Sequence, residues 1–196
     1  MKSALYLVIA YFLGAIPWAY LIAKASKGID IRQYGSGNVG FTNALRTIGK
    51  GPAMLVLIGD VGKGIAAVLL AKHFGTPLIA TLAGLMVVMG HNYSVFLGFK
   101  GGKGAAAGFG ALLALLPFEA MLAVLLWAII VFITRYVSLG TILGAFTVPI
   151  ATFIFHNEIH YILFSVLGAT FVIVKHHSNI SRLLNGTERK IGEKDK

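Results

Sequence analysis

The chain has 196 residues, 57% of them hydrophobic and 12% charged, with a formal net charge of +10 and a mean hydropathy of +0.82. Soluble domains carry roughly 25% charged residues, so this composition excludes an ordinary soluble domain and points to a polytopic helical membrane protein. The absence of cysteine excludes disulfides, thiolate metal sites and a thioester-forming nucleophile, and the excess of Lys and Arg reads as basic cytoplasmic loops rather than a nucleic-acid surface.

Hydropathy predicts an all-α integral membrane fold: one transmembrane domain, 1–196, with about seven spans. The first covers about 3–25. Its apolar run continues to Ala23, past the roughly 7–15 residues of a signal core, so it reads as a retained span. Gly14 and Pro17 predict a bend in it. The others cover about 51–72, 76–93, 104–117, 118–134, 138–156 and 159–174. Several fall short of the roughly 20 residues of a perpendicular span and must tilt, stop short or thin the bilayer.

Between the first two spans lies Gly35-Ser36-Gly37-Asn38-Val39-Gly40-Phe41-Thr42-Asn43-Ala44-Leu45-Arg46. Such a loop cannot lie in lipid, where its backbone groups would go unpaired. Its glycines allow close backbone approach, and Ser, Asn, Thr and Arg supply donors for a phosphate ester. Gly35, Gly37 and Gly40 formally match a dinucleotide fingerprint, but no βαβ unit surrounds them. The plainer alternative is a flexible loop, which has no use for two Asn, a Thr and an Arg at these spacings.

Asp60 and Lys63 lie three residues apart on one face of the second span. Charges at that depth are usually paired, so a structural ion pair stands beside a transport or proton-coupling site. Gly90-His91-Asn92 ends the third span. His91 there is an interfacial hydrogen-bonder or a catalyst. Phe99-Lys100-Gly101-Gly102-Lys103-Gly104 follows and is not a P-loop: Leu97 stands where the first glycine belongs, and Gly104 replaces the Ser/Thr. It still leads free N–H groups and Lys103 into a helix N-terminus, an anion-binding arrangement. The alternative is close helix packing with a snorkelling lysine.

The last span runs into His176-His177-Ser178-Asn179-Ile180-Ser181-Arg182, then Gly186, Glu188 and Lys190. No spacing here builds a metal site. A histidine can act as acid, base or donor to phosphate; the alternative is a basic tail touching anionic lipid. No Gly-x-Ser-x-Gly elbow occurs.

With the N-terminus outside, only Lys2 and Lys72 fall on the outer side. Lys24, Lys27, Arg32, Arg46, Lys50, Lys100, Lys103, Arg135, Lys175, Arg182, Arg189, Lys190, Lys194 and Lys196 fall on the other. That bias predicts a cytoplasmic C-terminus and glycine-rich cytoplasmic loops, with Glu119, His156, Glu158 and His160 outside, and requires an odd number of spans, seven or, if two short ones are re-entrant, five.

Three segments carry a resemblance in order and spacing over nearly the whole chain. They are Ser36-Gly37-Asn38-x-Gly40-x-Thr42-Asn43-x-x-Arg46, Gly98-Phe99-Lys100-Gly101-Gly102-Lys103-Gly104, and His176-x-x-Asn179-Ile180-x-Arg182-Leu183 continued by Gly186, Glu188 and Lys190. They resemble the signatures of the PlsY family, bacterial acyl-phosphate:glycerol-3-phosphate acyltransferases. Three positions depart from the family's usual pattern: Ser94 for Pro, Ala107 for Thr and His177 for Arg.

The resemblance implies that glycerol 3-phosphate attacks a fatty acyl phosphate through its 1-hydroxyl, giving lysophosphatidic acid and inorganic phosphate, the first acylation of phospholipid synthesis. The site would lie on the cytoplasmic face of a bacterial inner membrane. Ser36, Thr42, Arg46 and Lys103, with the backbone at Gly37, Gly40, Gly102 and Gly104, are expected to cradle phosphates. Asn38 and Asn43 are expected to orient hydroxyl or carbonyl oxygens, with Asn38 counted among the catalytic groups. His177, or else His176, is expected to contact glycerol 3-phosphate and take its proton; the rival acceptor is the donor's own phosphate. Asn179, Arg182 and Glu188 are expected to build the site. No cofactor and no metal is expected. The partners are the two substrates, membrane lipid and the enzyme that makes acyl phosphate. The competing reading is a transporter of a phosphorylated metabolite.

Overall fold

The computed structural model describes residues 2–155 and 158–193. His156, Lys194 and Lys196, placed above by charge, lie outside the described residues. All regular structure in the described residues is helical, and the chain divides into two compact units, Met1–Leu115 and Leu116–Lys196.

The first unit opens with α1 (Lys2–Ala15) and α2 (Trp18–Lys27), two halves of one span broken at Ile16-Pro17. Proline lacks an N–H and disfavours a helical residue before it, so the break falls at the predicted bend. Gly28 stops α2 in a left-handed conformation (φ 69°), its N–H donating to the Lys24 carbonyl. A short 3-10 turn (Ile31–Gln33) and α3 (Phe41–Thr47) follow. Next come α4 (Lys50–Phe74), α5 (Pro77–Asn92) and α6 (Ala105–Leu115). α4 has 25 residues, about 37 Å, enough to cross the hydrocarbon. Thr76 caps α5 by accepting the Ile79 N–H at 3.4 Å, with Pro77 in its first turn.

Small residues set how closely these helices pack. α1 meets α5 with Gly14 against the Val87 backbone and Gly90 against the Tyr11 carbonyl. α4 meets α6 with Gly64 against the Ala107 carbonyl and Gly110 against the Val61 carbonyl.

The second unit holds α7 (Pro117–Thr134), α8 (Val137–Phe155), α9 (Ile159–Lys175) and α10 (His177–Leu184). Gly140 and Gly144 seat α8 against Trp127 and Ala123 of α7. α9 and α10 meet at a 59° bend. Large apolar side chains point outward, Phe132 at 89% exposure and Ile133 at 72%, as lipid-facing residues do.

About seven spans were predicted, or five with two short ones re-entrant. Among the described residues, five helices are long and apolar enough to cross a membrane, and a sixth is reached only if the bent pair counts as one. The difference centres on 104–117. That segment is α6, 11 residues and about 16 Å long, packed against α4 and α5. Pro117 ends it: Leu116 before the proline is held out of the helical region (φ −137°, ψ 71°).

A leucine at Gly110 must push the Val61 carbonyl away from α6. We expect Gly110→Leu to lose roughly 1–3 kcal/mol of stability, read as a lower unfolding temperature in detergent.

Candidate active site

The first glycine-rich loop is organised by Asn43. This side chain is 1% exposed. Its Oδ1 accepts the Ser36 N–H at 2.9 Å, and its amide nitrogen is shared among the carbonyls of Asn38 (3.0 Å), Tyr34 (3.1 Å) and Ile31 (3.3 Å). Asn43 was expected to touch substrate; in the structure its side chain also folds the loop that carries it. Two further backbone donors expected to cradle phosphate are also bonded internally. Gly37 donates to the Tyr34 carbonyl at 2.9 Å and Gly40 to the Asn38 carbonyl at 3.1 Å. Ser36 is exposed, and Asn38, Thr42 and Arg46 are half-buried around the same loop. Side chains, rather than these three N–H groups, make up what the loop offers a ligand. Upstream, Asp30 caps the 3-10 turn and pairs with the Arg32 guanidinium at 2.6 Å. That contact holds the Asp30 carboxyl below its ordinary value and the Arg32 guanidinium above its own.

The second loop lies on the C-terminal end of α5. Gly101 donates to the Asn92 carbonyl at 3.2 Å and Gly102 to the His91 carbonyl at 3.0 Å. A Cβ at Gly102 would collide with His91 Nε2 and the Val39 carbonyl. Gly102 is therefore required for packing, and its N–H is not among the free donors expected here. Gly104 leads into α6, its carbonyl accepting the Gly108 N–H at 2.7 Å. Lys103 is half-buried between these two glycines. Ser94, in place of the family's usual Pro, is buried, and its Oγ donates to the Ala15 carbonyl at 2.6 Å. It closes a backbone acceptor at the break in the first span.

Beneath this loop the Asp60–Lys63 pair is present at 2.7 Å. His91, distant in sequence, is its third member. His91 Nδ1 lies 2.9 Å from Lys63 Nζ, and the Ile16 carbonyl accepts from the same ammonium at 2.9 Å. Two charges at mid-span flag a buried polar partner in sequence, but a histidine 28 positions away is identified only by packing. A small pocket between them is lined by Ile16, Pro17, Trp18, Asp60, His91 and Gly102, among others.

In the second unit the tail folds back on α8 and α10 through Glu188. Its carboxylate accepts from Ser138 Oγ at 2.6 Å, Asn179 Nδ2 at 2.6 Å and Arg182 Nε at 2.7 Å. Burial pushes this carboxyl up, but the three hydrogen bonds and the Arg182 charge outweigh it and hold it below its ordinary 4.5. Asn179 is buried against Glu188, which makes it a brace for the carboxylate, while the Arg182 side chain remains 39% exposed.

The two histidines separate. His176, expected as the second catalytic candidate, is buried, with Nδ1 2.7 Å from the Val172 carbonyl. His177 is exposed, with Nδ1 3.0 Å from the Val174 carbonyl. A carbonyl only accepts, so Nδ1 carries the hydrogen and the neutral ring presents its lone pair at Nε2. Among the described residues no three His, Asp or Glu side chains are grouped to hold a metal ion.

Two predictions follow from these braces. Asn43→Ala leaves loop carbonyls and the Ser36 N–H without their partner; the cost of roughly 1–3 kcal/mol should appear as a lower unfolding temperature. Glu188 has a depressed folded-state pKa, so its stabilisation is present above 4.5 and is lost as pH falls through the folded value. Unfolding temperature measured against pH should drop in that acid window for the native chain, and Glu188→Gln should flatten the drop.

A family model described as glycerol-3-phosphate acyltransferase matches residues 4–186. Glycerol-3-phosphate acyltransferase of Desulforamulus reducens is 51% identical over 195 residues, covering 99% of this chain and 98% of the relative. Glycerol-3-phosphate acyltransferase 2 of Moorella thermoacetica is 48% identical, covering 96% and 97%. The crystal structure of PlsY (YgiH), an integral membrane glycerol 3-phosphate acyltransferase, in its glycerol 3-phosphate form, superposes with a TM-score of 0.93. It is 38% identical and covers 98% of this chain and 96% of that one. The lysophosphatidic acid form of the same enzyme superposes at 0.91, with the same identity and coverage. On that extent of sequence and fold, the chain belongs to the PlsY family of integral membrane glycerol-3-phosphate acyltransferases.

Proposed function

We propose that this chain transfers a fatty acyl group from acyl phosphate to the 1-hydroxyl of glycerol 3-phosphate. One observation carries the reading: a 38% identical chain of the same fold has a glycerol 3-phosphate form and a lysophosphatidic acid form. Those two molecules are the acceptor and product of such a transfer. Transport of a phosphorylated metabolite is not favoured by relatives named for acyl transfer.

The glycerol hydroxyl oxygen forms a bond to the acyl carbonyl carbon. The bond from that carbon to the phosphate oxygen breaks, and its electron pair leaves with inorganic phosphate. A mixed anhydride is already activated, so no enzyme-bound acyl intermediate is required. Ser36, Thr42, Arg46 and Lys103 hold phosphate oxygens by charge-assisted hydrogen bonds. Asn38 orients a hydroxyl or carbonyl oxygen. Arg182, aimed by Glu188, holds the glycerol 3-phosphate. His177 Nε2 takes the hydroxyl proton, a role its exposed lone pair suits. We place the reaction at the cytoplasmic face of a bacterial inner membrane, where the enzyme that makes acyl phosphate can deliver its product.

The test is product formation by purified protein given glycerol 3-phosphate with palmitoyl phosphate, palmitoyl-CoA or palmitoyl carrier protein in parallel. Lysophosphatidic acid and phosphate from acyl phosphate alone are expected. Turnover only with a thioester overturns the donor, and no turnover from folded protein overturns the reaction. Replacing both His177 and His176 by Ala should lower kcat by about 10²–10⁴-fold if a histidine is the base; near-normal kcat in the folded double variant assigns the proton to the donor's phosphate. Arg46→Lys should raise KM, because a lysine cannot form the bidentate fork.

A further inference from the structure

Lys63 stands near the middle of α4 with its side chain 3% exposed, and Asp60, one turn earlier, is 2% exposed. An ammonium has three N–H donors and no acceptor. In the first unit it meets the Ile16 carbonyl and His91 Nδ1 at hydrogen-bond distance and forms an ion pair with Asp60 Oδ1 at 2.7 Å. These partners lead to different places. The Ile16 carbonyl belongs to the break between α1 and α2, and α2 packs on α3 and the 3-10 turn that frame the first glycine-rich loop. Lys27, at the end of α2, donates to the Thr47 carbonyl at the end of α3, at 3.0 Å.

His91 leads to the second loop. His91 Nδ1 faces Lys63 Nζ at 2.9 Å and Asp60 Oδ1 at 3.5 Å, and its other ring nitrogen, Nε2, faces the loop. Gly102 packs so closely on that nitrogen that a Cβ would collide with it, and the Gly102 N–H is held by the His91 carbonyl. The residue after Gly102 is Lys103. A shift of the His91 ring therefore moves the start of the Lys103 backbone.

We infer that Lys63, Asp60 and His91 are positioning residues for acyl transfer: one buried ammonium sets the first-span break and, through His91, the place of Lys103, so that both glycine-rich loops are held in register. This rests on the acyl-transfer reading. It differs from the structural ion pair and the proton-coupling site considered from sequence. The charges neither touch substrate nor exist for stability alone; they fix the backbone from which substrate-holding groups project.

Removing both charges together separates positioning from stability, since apolar replacement of a buried pair is often neutral or stabilising. In Asp60→Leu, Lys63→Met we expect folded protein and a rise in KM for glycerol 3-phosphate or acyl phosphate of about tenfold or more. A misplacement on the order of 1 Å can cost about 10²-fold in rate. A smaller folded fraction would lower apparent kcat and leave KM where it was. A second pair of variants covers failure of the double variant to fold. His91→Gln keeps an acceptor for Lys63 and should stay nearer the wild-type KM than His91→Leu. An unchanged KM in the folded double variant, or equal effects of the two His91 variants, overturns the inference. The wild type is assayed alongside. If it shows no turnover, the acyl-transfer reading fails by itself, and equilibrium binding of glycerol 3-phosphate to the same variants decides the positioning role.

Discussion

In hydrocarbon, every backbone N–H and C=O must find its partner inside the protein. This chain breaks a span at Pro17 and inserts two glycine-rich loops, so it creates many such groups. The structure meets them with side chains and helix ends. Lys63 takes the Ile16 carbonyl and Ser94 the Ala15 carbonyl. Asn43 takes carbonyls of the first loop, and the end of α5 takes the N–H groups of Gly101 and Gly102. An unsatisfied buried group costs roughly 1–3 kcal/mol, so together these braces decide whether the loops hold one conformation.

That constraint sorts the polar residues. Asn43, Asn179, His176 and Glu188 each bond to other groups of the chain. Ser36, Thr42, Lys103, His177 and Arg182 keep some exposure beside those networks. Bracing residues and presenting residues alternate along each motif: Asn43 stands next to Thr42, Gly102 next to Lys103, His176 next to His177. The dense spacing of each motif follows from this, because a group aimed at a ligand needs a neighbour that fixes the backbone beneath it.

Much of the fold was legible in the chain. Long apolar runs, the bend at Pro17 and the Asp60–Lys63 pair all follow from local composition, because helix periodicity and the cost of mid-membrane charge act over a few residues. The length of α6 was not legible. Hydropathy measures how apolar a segment is, while Pro117 and packing against α4 and α5 set where the helix ends. The glycines were read as phosphate cradles because close approach to a ligand and close approach to another helix require the same absence of a side chain.

The amino-acid sequence by itself determined the class of protein, the three motifs and the types of group available for phosphate chemistry, because these depend on composition and on residues close along the chain. Only the tertiary structure decided which of those groups are braces and which face outward. It joined His91 to Lys63 across 28 positions and separated His176 from His177, adjacent in the chain, into buried and exposed roles. Hydrogen-bond capacity is limited, and the partner each donor finds is set by distance in space, which the order of residues does not record.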